Sequence, residues 1–397
     1  MNNSLCSPVL DEEIKEAAFQ LGASKAPGPD GFSGIFYHNY WGIIREDLCK
    51  MVKAFFQGDF LVHCLNMTEI ALIPKVPNPE AVTQFRPIAL CNFTYKIISK
   101  ILANRLKPML AEIISPQQSA FIPGRQIQDN ILLAHEAFHA LKLRKKTKVY
   151  EMGLKLDMNK AYDRIEWDFL KEMLIKIGFD QSWVRLVMRC ITSVRFTVLL
   201  NGKSGNPFKS SRGIRQGDPI SPYIFILVSD VLSVMLNQAV ERGFVQGIRF
   251  SRDGPTLSHL FFADDSILFL KATERNCNAV ASILNSYCHA SGQVVNFEKS
   301  SVYFSPNTPQ QLTDNPGKYL GLPTLWGRSK CEAMNFVKER IMSKVEGWKQ
   351  KLLTQAGREI LIKAVAQTIP TYPMSVFLFP GGLCRELDGI LANFWWK

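Results

Sequence analysis

His259-Leu260-Phe261-Phe262-Ala263-Asp264-Asp265-Ser266-Ile267-Leu268-Phe269-Leu270 is the stretch that decides how this chain folds. Two apolar, aromatic-rich arms flank an acidic tip. Short runs of this kind read as buried strands, and the polar break between them reads as a tight turn. The stretch therefore predicts a β-hairpin with Asp264 and Asp265 at its tip. An Asp-Asp pair in a turn is ordinarily a solvated surface feature. Here both arms are apolar enough to be buried while the tip stays acidic.

Working back from the hairpin, Met152–Leu156 reads as a short strand that runs directly into Asp157. Trp167, Leu170, Leu174 and Ile177 then line a helix. An aspartate at the end of a strand projects from the sheet edge, and a hairpin beside that strand brings Asp264 near Asp157. Carboxylates gathered there repel one another unless a divalent cation neutralises them. Oxygen ligands of this kind suit Mg²⁺. Two such ions, ~3.5–4 Å apart, activate a 3′-hydroxyl and steady a leaving pyrophosphate. Taken alone, Asp157 reads equally as a strand terminator or a helix cap.

The flanking sequence supplies helices on one side and mixed structure on the other. Before residue 150, Ile14, Ala18 and Leu21 share a face, as do Ile44, Leu48, Met51 and Phe55. Tyr95, Ile98, Leu102 and Met109 mark a helix kinked near Pro108, and Ile127, Ile131, Ala134, Phe138 and Leu141 another. Ile70–Ile73 is a short strand ending at Pro74, and Lys25–Gly31 is a loop. In the middle, Val184, Val187 and Ile191 line a helix, Val194–Asn201 and Phe208–Ser211 read as strands, and Phe225, Val228, Leu232 and Met235 line a long helix. Val280, Leu284 and Tyr287 mark a further helix. Val294–Phe297 and Ser301–Phe304 are expected to pair as a hairpin around Glu298-Lys299. The last part is helical, with Met334, Val337, Ile341, Val345 and Trp348 on one stripe and Ile360, Ala364 and Gln367 on a second helix. Boundaries are expected near residues 150 and 315.

Composition narrows the function classes. The 397 residues carry 47 Lys+Arg against 35 Asp+Glu, a net charge of +12, which suits a polyanionic partner such as nucleic acid. Hydrophobic residues make up 47%, enough for a packed core, so wholesale disorder is excluded. No apolar run approaches the ~18 residues of a membrane span, and Tyr223–Leu236 is broken by Ser229, Asp230 and Ser233. The basic start of a secretory signal is missing, and nine scattered cysteines without C-x-x-C spacing read as reduced thiols, so nucleus or cytoplasm is expected. His135-Glu136-Ala137-Phe138-His139 matches the H-E-x-x-H zinc pattern, but Lys145 stands where a third histidine would follow, and a surface histidine pair is the better reading.

Three boxes in order make a family resemblance. Phe262-Ala263-Asp264-Asp265 resembles the acidic box of reverse transcriptases. Leu156-Asp157-Met158-Asn159-Lys160-Ala161-Tyr162-Asp163 resembles their first catalytic box. Arg212-Gly213-Ile214-Arg215-Gln216-Gly217-Asp218-Pro219-Ile220-Ser221-Pro222 resembles the box between them. The chain is most similar to reverse transcriptases of plant non-LTR (LINE-type) retrotransposons. That likeness runs from Lys25-Ala26-Pro27-Gly28-Pro29-Asp30-Gly31 through Tyr319-Leu320-Gly321-Leu322-Pro323 to Phe394-Trp395-Trp396.

The resemblance implies an α+β right-hand polymerase: fingers over 1–150, a ferredoxin-like palm with an antiparallel sheet over 151–315, and a helical thumb over 316–397. It implies an RNA-directed DNA polymerase that takes an RNA template, a DNA primer and dNTPs, with Mg²⁺ or Mn²⁺ as cofactor and no membrane. Asp157, Asp264 and Asp265 are then the catalytic, metal-holding carboxylates, Asp157 and Asp264 the principal ligands and Asp265 supporting, with the Met158 carbonyl completing the coordination. Tyr162 matches the aromatic gate beneath the incoming sugar, its alternative being a core aromatic. Gln216 and Gly217, with Gly213, match the loop that shapes the dNTP site, while Ser221 and Pro222 also suit a helix start. Lys75 and Arg86 match the cations that hold the triphosphate, the alternative being surface charge. Gln118, Phe121, Gly124 and Arg125 match a template-contacting element. Asn296 and Lys299 match a hairpin beside the site, Lys299 either protonating the leaving pyrophosphate or serving as a surface charge.

Family members commonly carry an endonuclease ahead of this region and further domains behind it, so the sequence reads as the polymerase piece of such an element. Only 14 residues separate Phe304 from Tyr319, a segment usually longer in the family. The basic run Lys142–Lys148 reads as a nuclear signal or as a solvated helix end. Two rivals stand beside the main reading: an RNA-dependent RNA polymerase, against which Tyr162 argues, and a catalytically inactive nucleic-acid-binding or maturase-like remnant.

Overall fold

The computed structural model describes residues 2–58, 64–145, 148–250, 254–308, 317–325, 330–349 and 353–396. Its longer helices are α1 (Asp11–Gln20), α2 (Trp41–Gln57), α3 (Phe93–Leu106), α4 (Ile127–Leu143), α5 (Trp167–Ile177), α6 (Gln181–Thr192), α7 (Ser221–Glu241), α8 (Glu274–Ser291), α9 (Asn335–Lys349) and α10 (Gly381–Trp396). Its longer strands are β1 (Met67–Pro74), β2 (Phe85–Cys91), β3 (Glu151–Leu156), β4 (Arg195–Leu200), β5 (His259–Phe262), β6 (Asp265–Lys271) and β7 (Ser301–Phe304).

The decisive hairpin is β5–β6, and it pairs with the strand that precedes Asp157. The sheet order is β7-β3-β6-β5, antiparallel throughout. Both faces are covered, which explains the unbroken apolar run along β6. Leu268 and Leu270 pack with Leu232 and Leu236 of α7 and Val280 and Tyr287 of α8. Ile267 and Phe269 face the other way, onto Ala134, Phe138 and Leu141 of α4. A Cβ on Gly153 would stand 2.7 Å from the Phe138 ring, so only glycine lets β3 lie this close to α4. A second sheet, β2-β1-β4 and the short strand Lys203–Ser204, stands beside the first. There β1 is antiparallel to β2 and parallel to β4. Helices mixed with largely antiparallel sheet in this order make the α+β architecture that the sequence led us to expect.

One hydrophobic core runs from Leu5 through α1, α2, α3 and α5 to Val228, crossing residue 150. A separate core gathers Met334, Val337, Ile341, Val345 and Trp348 of α9 with Leu383, Leu387 and Phe394 of α10.

The structure departs from the sequence expectations at several points. Residues 294–297 and 301–304 do not pair with each other. Instead β7 pairs with β3, and Val295 forms an isolated bridge to Met158. Phe208–Ser211 is not a strand: Phe208 bridges Phe196 alone, and Lys203–Ser204 takes the place beside β4. The helix after Tyr95 ends at Leu106 and gives a 3-10 turn at Lys107–Met109, because Pro108 has no amide to donate. Ser221 is the first residue of α7 rather than its cap. The helix expected to carry Ile360, Ala364 and Gln367 ends at Leu361 and gives way to a π-helical turn at Ile362–Ala366, with Ile360 exposed. Helix α7 is long and apolar enough, by length and composition, to cross a membrane, but 61% of that window is buried inside the protein, where Leu232 and Leu236 pack against β6. Lys146 and Thr147 of the basic run lie outside the described residues, as do residues 309–316 of the short segment before Tyr319.

Candidate active site

Asp157 leaves the end of β3 and is held at both backbone groups by a segment far away in sequence. Asn296 N donates to Asp157 O at 2.8 Å, and Asp157 N donates to Ser300 Oγ at 3.1 Å. Ser300 Oγ in turn donates to Asn296 O at 2.8 Å. Asn159 N donates to Val294 O at 2.8 Å, so the bridge leaves the Met158 carbonyl unused. Asp264 enters from the β5–β6 turn, which closes on the pair Phe262↔Asp265. The turn has two residues, and the first, Ala263, has φ 54, a left-handed backbone uncommon for a residue with a Cβ.

Asp157 and Asp264 share one cleft of ≈ 630 Å³. It is also lined by Tyr162, Gln216, Gly217, Asn296 and Lys299, and by Lys75 and Arg86 from the β1–β2 hairpin. Lys75 sits at the end of β1 with Nζ donating to Thr83 O at 3.0 Å, and Arg86 is exposed on β2 opposite Ile73. The fold thus brings together residues from five separate stretches of sequence.

Asp265, expected as a third ligand, is not among the residues lining the cleft. It is the first residue of β6, directly after the turn residue Asp264, and successive side chains leave a strand on opposite faces. Its charge reaches Tyr319 and Tyr372, and the charges of Asp264 and Asp157 both act on it. Asp157 and Asp264 line the cleft, with Asp265 beside them at the start of β6.

The electrostatics suit a cation. Asp264 reaches solvent at the tip, yet the cleft walls strip enough water from it to raise its pKa, and the charge of Asp157 raises it further. Asp265 is raised too, by desolvation first and by Asp264 second. No lysine or arginine among the described residues is ion-paired with Asp157, Asp264 or Asp265. Nor do three His, Cys, Asp or Glu side chains among the described residues form a preformed metal cage. Two carboxylates in an open cleft fit Mg²⁺, which keeps waters and takes its remaining ligands from substrate phosphates.

The family model described as "Reverse transcriptase (RNA-dependent DNA polymerase)" matches residues 73–324, which include both carboxylates and most of the cleft wall. The chain belongs to the reverse transcriptase family. It is 28% identical to the transposon TX1 uncharacterized 149 kDa protein of Xenopus laevis, over 98% of this chain and 30% of that protein. It is 26% identical to the Pol polyprotein of the R2 retrotransposable element of Nasonia vitripennis, over 68% of this chain and 25% of that protein. A shorter match, 48% identical, covers 17% of this chain and 56% of an uncharacterized mitochondrial protein of Arabidopsis thaliana. The chain spans less than a third of the length of the TX1 and R2 relatives.

In this reverse transcriptase Tyr162 lies in a turn rather than at a helix start, with its carbonyl accepting from Ile214 N at 2.9 Å. Its ring stacks on Phe225, and burial with the nearby charge of Asp264 drives its pKa up. The ring packs on a core phenylalanine and also lines the cleft. Gly217 has φ 110, and a Cβ there would stand 3.1 Å from Ala89 O. Ala89 N donates to Gln216 O at 2.9 Å, which ties this loop to β2.

The element expected to touch template divides. Phe121 is exposed at φ 59 and edge-on to Tyr223, with ring centroids 6.4 Å apart. Arg125 is spent on its own loop, donating to Ser115 O at 2.6 Å, Ile114 O at 3.0 Å and Gln118 O. Gln118 is fully buried. His135 of the H-E-x-x-H pattern packs edge-on to Phe377, with its pKa lowered by burial.

Three features of the reverse transcriptase site were missed in the sequence. Lys160 lines the cleft at φ 53. Ser300 holds Asp157. Arg215 and Asp218 flank Gln216-Gly217 and form a buried ion pair at 2.8 Å beneath the loop. Arg215 also donates to Asn66 Oδ1 and Cys190 O and stacks over Tyr95, while Tyr95 and Ser99 donate to Asp218. The available signal was an opposite-charge pair three residues apart, flanked by Ile214 and Ile220.

Proposed function

We propose that this chain is the polymerase of a non-LTR, LINE-type retrotransposon, copying an RNA template into DNA from a DNA primer. One observation carries this: Asp157 and Asp264 open into the same cleft as Tyr162, the Gln216-Gly217 loop and the fingers cations Lys75 and Arg86. A carboxylate pair facing a cationic wall is what an incoming nucleoside triphosphate needs. In this reading residues 1–150 are fingers, 151–315 palm and 316–397 thumb. The 48% identical Arabidopsis segment supports a plant element.

Asp157 and Asp264 are the residues that hold Mg²⁺, with Asp265 supporting from outside the cleft. When bound, the metal lowers the pKa of the primer 3′-hydroxyl and neutralises charge on the departing pyrophosphate. Lys75, Arg86 and Lys160 offset the negative charge of the triphosphate. Lys299 holds a proton at the cleft edge for the leaving group. Gln216 presents both a donor and an acceptor to the nucleotide, and Gly217 lets the backbone approach it. Tyr162 fills the space a 2′-hydroxyl would need.

Primer extension on an RNA template with Mg²⁺ and dNTPs tests the proposal. Full-length DNA product is expected. Tight primer–template binding with no extension at any Mg²⁺ or Mn²⁺ concentration overturns it in favour of a binding remnant.

A further inference from the structure

Gln118 lies at 0% exposure where three segments meet. Its backbone bridges in parallel to Phe261: Ser119 N donates to Phe261 O at 3.1 Å and Phe261 N donates to Gln117 O at 2.8 Å. Its side-chain Oε1 accepts from Ala120 N at 3.0 Å and from Ala263 N at 3.0 Å. Its Nε2 donates to Ser229 Oγ of α7 at 3.1 Å. Backbone amides only donate, so the atom that faces two of them is the oxygen, and the orientation of the side chain follows. Both acceptor positions of that oxygen are then in use.

Ala263 is the first residue of the catalytic turn and Asp264 the second. A left-handed φ brings the Ala263 Cβ against its own backbone, a conformation that persists only where the surroundings hold it. The Gln118 carbonyl holds that amide from below. Fixing the Ala263 peptide also fixes the direction in which the Asp264 side chain leaves the turn. Asn130 adds a second strut one step back, donating from Nδ2 to Phe261 O at 2.9 Å while Ser119 Oγ donates to its Oδ1 at 2.6 Å.

The geometry points to Gln118 as a positioning residue for Asp264: it touches no substrate and acts by holding the Ala263 amide. The inference rests on Asp264 being a metal ligand, as proposed above. A glutamine serves here because it spans from α7 to the turn and ends in an acceptor that two amides can share. Methionine matches its length and lacks the acceptor.

Hydrogen exchange and steady-state extension together decide it. In the unmutated chain the amides of a peptide covering 262–266 should exchange slowly, and fast exchange there overturns the inference without any variant. That readout stands whether or not the chain extends a primer, so it separates failure of the strut from failure of the polymerase reading. Gln118→Met should speed that exchange and lower kcat roughly ten- to a hundredfold, the cost of stranding a buried amide. Its KM for dNTP and its primer–template affinity should stay within about twofold, as expected for a lost transition-state interaction. Adding Ala263→Gly relieves the left-handed strain and should restore several-fold of the lost kcat. A Gln118→Met protein with unmutated kcat, or a loss that Ala263→Gly does not relieve, overturns the assignment.

Discussion

The rings of Tyr162 and Phe225 lie face to face, their centroids 4.7 Å apart and their planes within 8°. Phe225 belongs to the buried face of α7, so the wall that Tyr162 presents to the cleft is backed by the hydrophobic core. A ring supported in this way cannot swing aside for a larger sugar. Tyr162→Val should therefore raise rNTP incorporation relative to dNTP. Stranding a hydroxyl against the ring costs roughly 1–3 kcal/mol, about five- to 150-fold in discrimination, with steric overlap adding to it. Tyr162→Phe should change little, because the ring does the excluding. Competing rNTP against dNTP in single-nucleotide extension measures both. An unchanged preference in Tyr162→Val would make the residue purely structural.

Removing charge from the carboxylates separates the two that share the cleft from the one that does not. Asp157→Asn and Asp264→Asn should each cut extension by orders of magnitude while primer–template affinity holds. Asp265→Asn, outside the cleft, should retain more activity. Extension rates and filter-binding affinities on the same preparations check this. Equal losses at Asp264 and Asp265 would contradict the division of the pair.

The buried Arg215–Asp218 pair should dominate the stability of the dNTP loop. Arg215→Met leaves the Asp218 carboxylate buried with Tyr95, Ser99 and the Ile220 amide as its donors and no cation beside it. Stranding one member of a buried pair costs roughly 3–5 kcal/mol. Chemical denaturation of Arg215→Met should show a loss of that size, and Tyr95→Phe a smaller one. A loss no larger than that of an exposed lysine substitution would argue that the pair is solvated.

His259 should set an acid limit on the fold. It is fully buried on β5, its Nε2 2.7 Å from Ser233 Oγ and its Nδ1 2.8 Å from Ser258 Oγ, and burial lowers its pKa to about 4. The unfolded chain takes up this proton near pH 6.5, while the folded chain resists it down to about 4. Stability is therefore lost as pH falls through that window and is unaffected above it. At ~1.4 kcal/mol per pH unit, the contribution between about pH 7 and pH 5 is roughly 2 kcal/mol. Unfolding free energies of the unmutated protein and of His259→Asn at both pH values should converge at the lower one. Parallel pH profiles would remove His259 as the cause.

Local pattern and long-range pairing were not equally legible in the sequence. The β5–β6 hairpin, Asp157 at its strand end and the apolar faces of the helices are local features, and their periodicity shows them. Partners across the sheet are not local. Val294–Phe297 and Ser301–Phe304 look like a hairpin because they are adjacent, yet β7 finds a better partner in β3, which needed another strand at the sheet edge. The supports of the two carboxylates were hidden for the same reason. Ser300 lies 143 residues from Asp157, and Gln118 lies 145 from Ala263. A polar residue does not announce a partner that far away.

The core that begins at Leu5 and ends at Val228 takes residues from both sides of position 150. A nick in the chain there would leave two pieces, each showing half of an apolar interface. Rigid-body hinging between them would open that interface to water. The helices of α9 and α10 have a core of their own. Relative motion that spares apolar packing is therefore cheapest between this second core and the first.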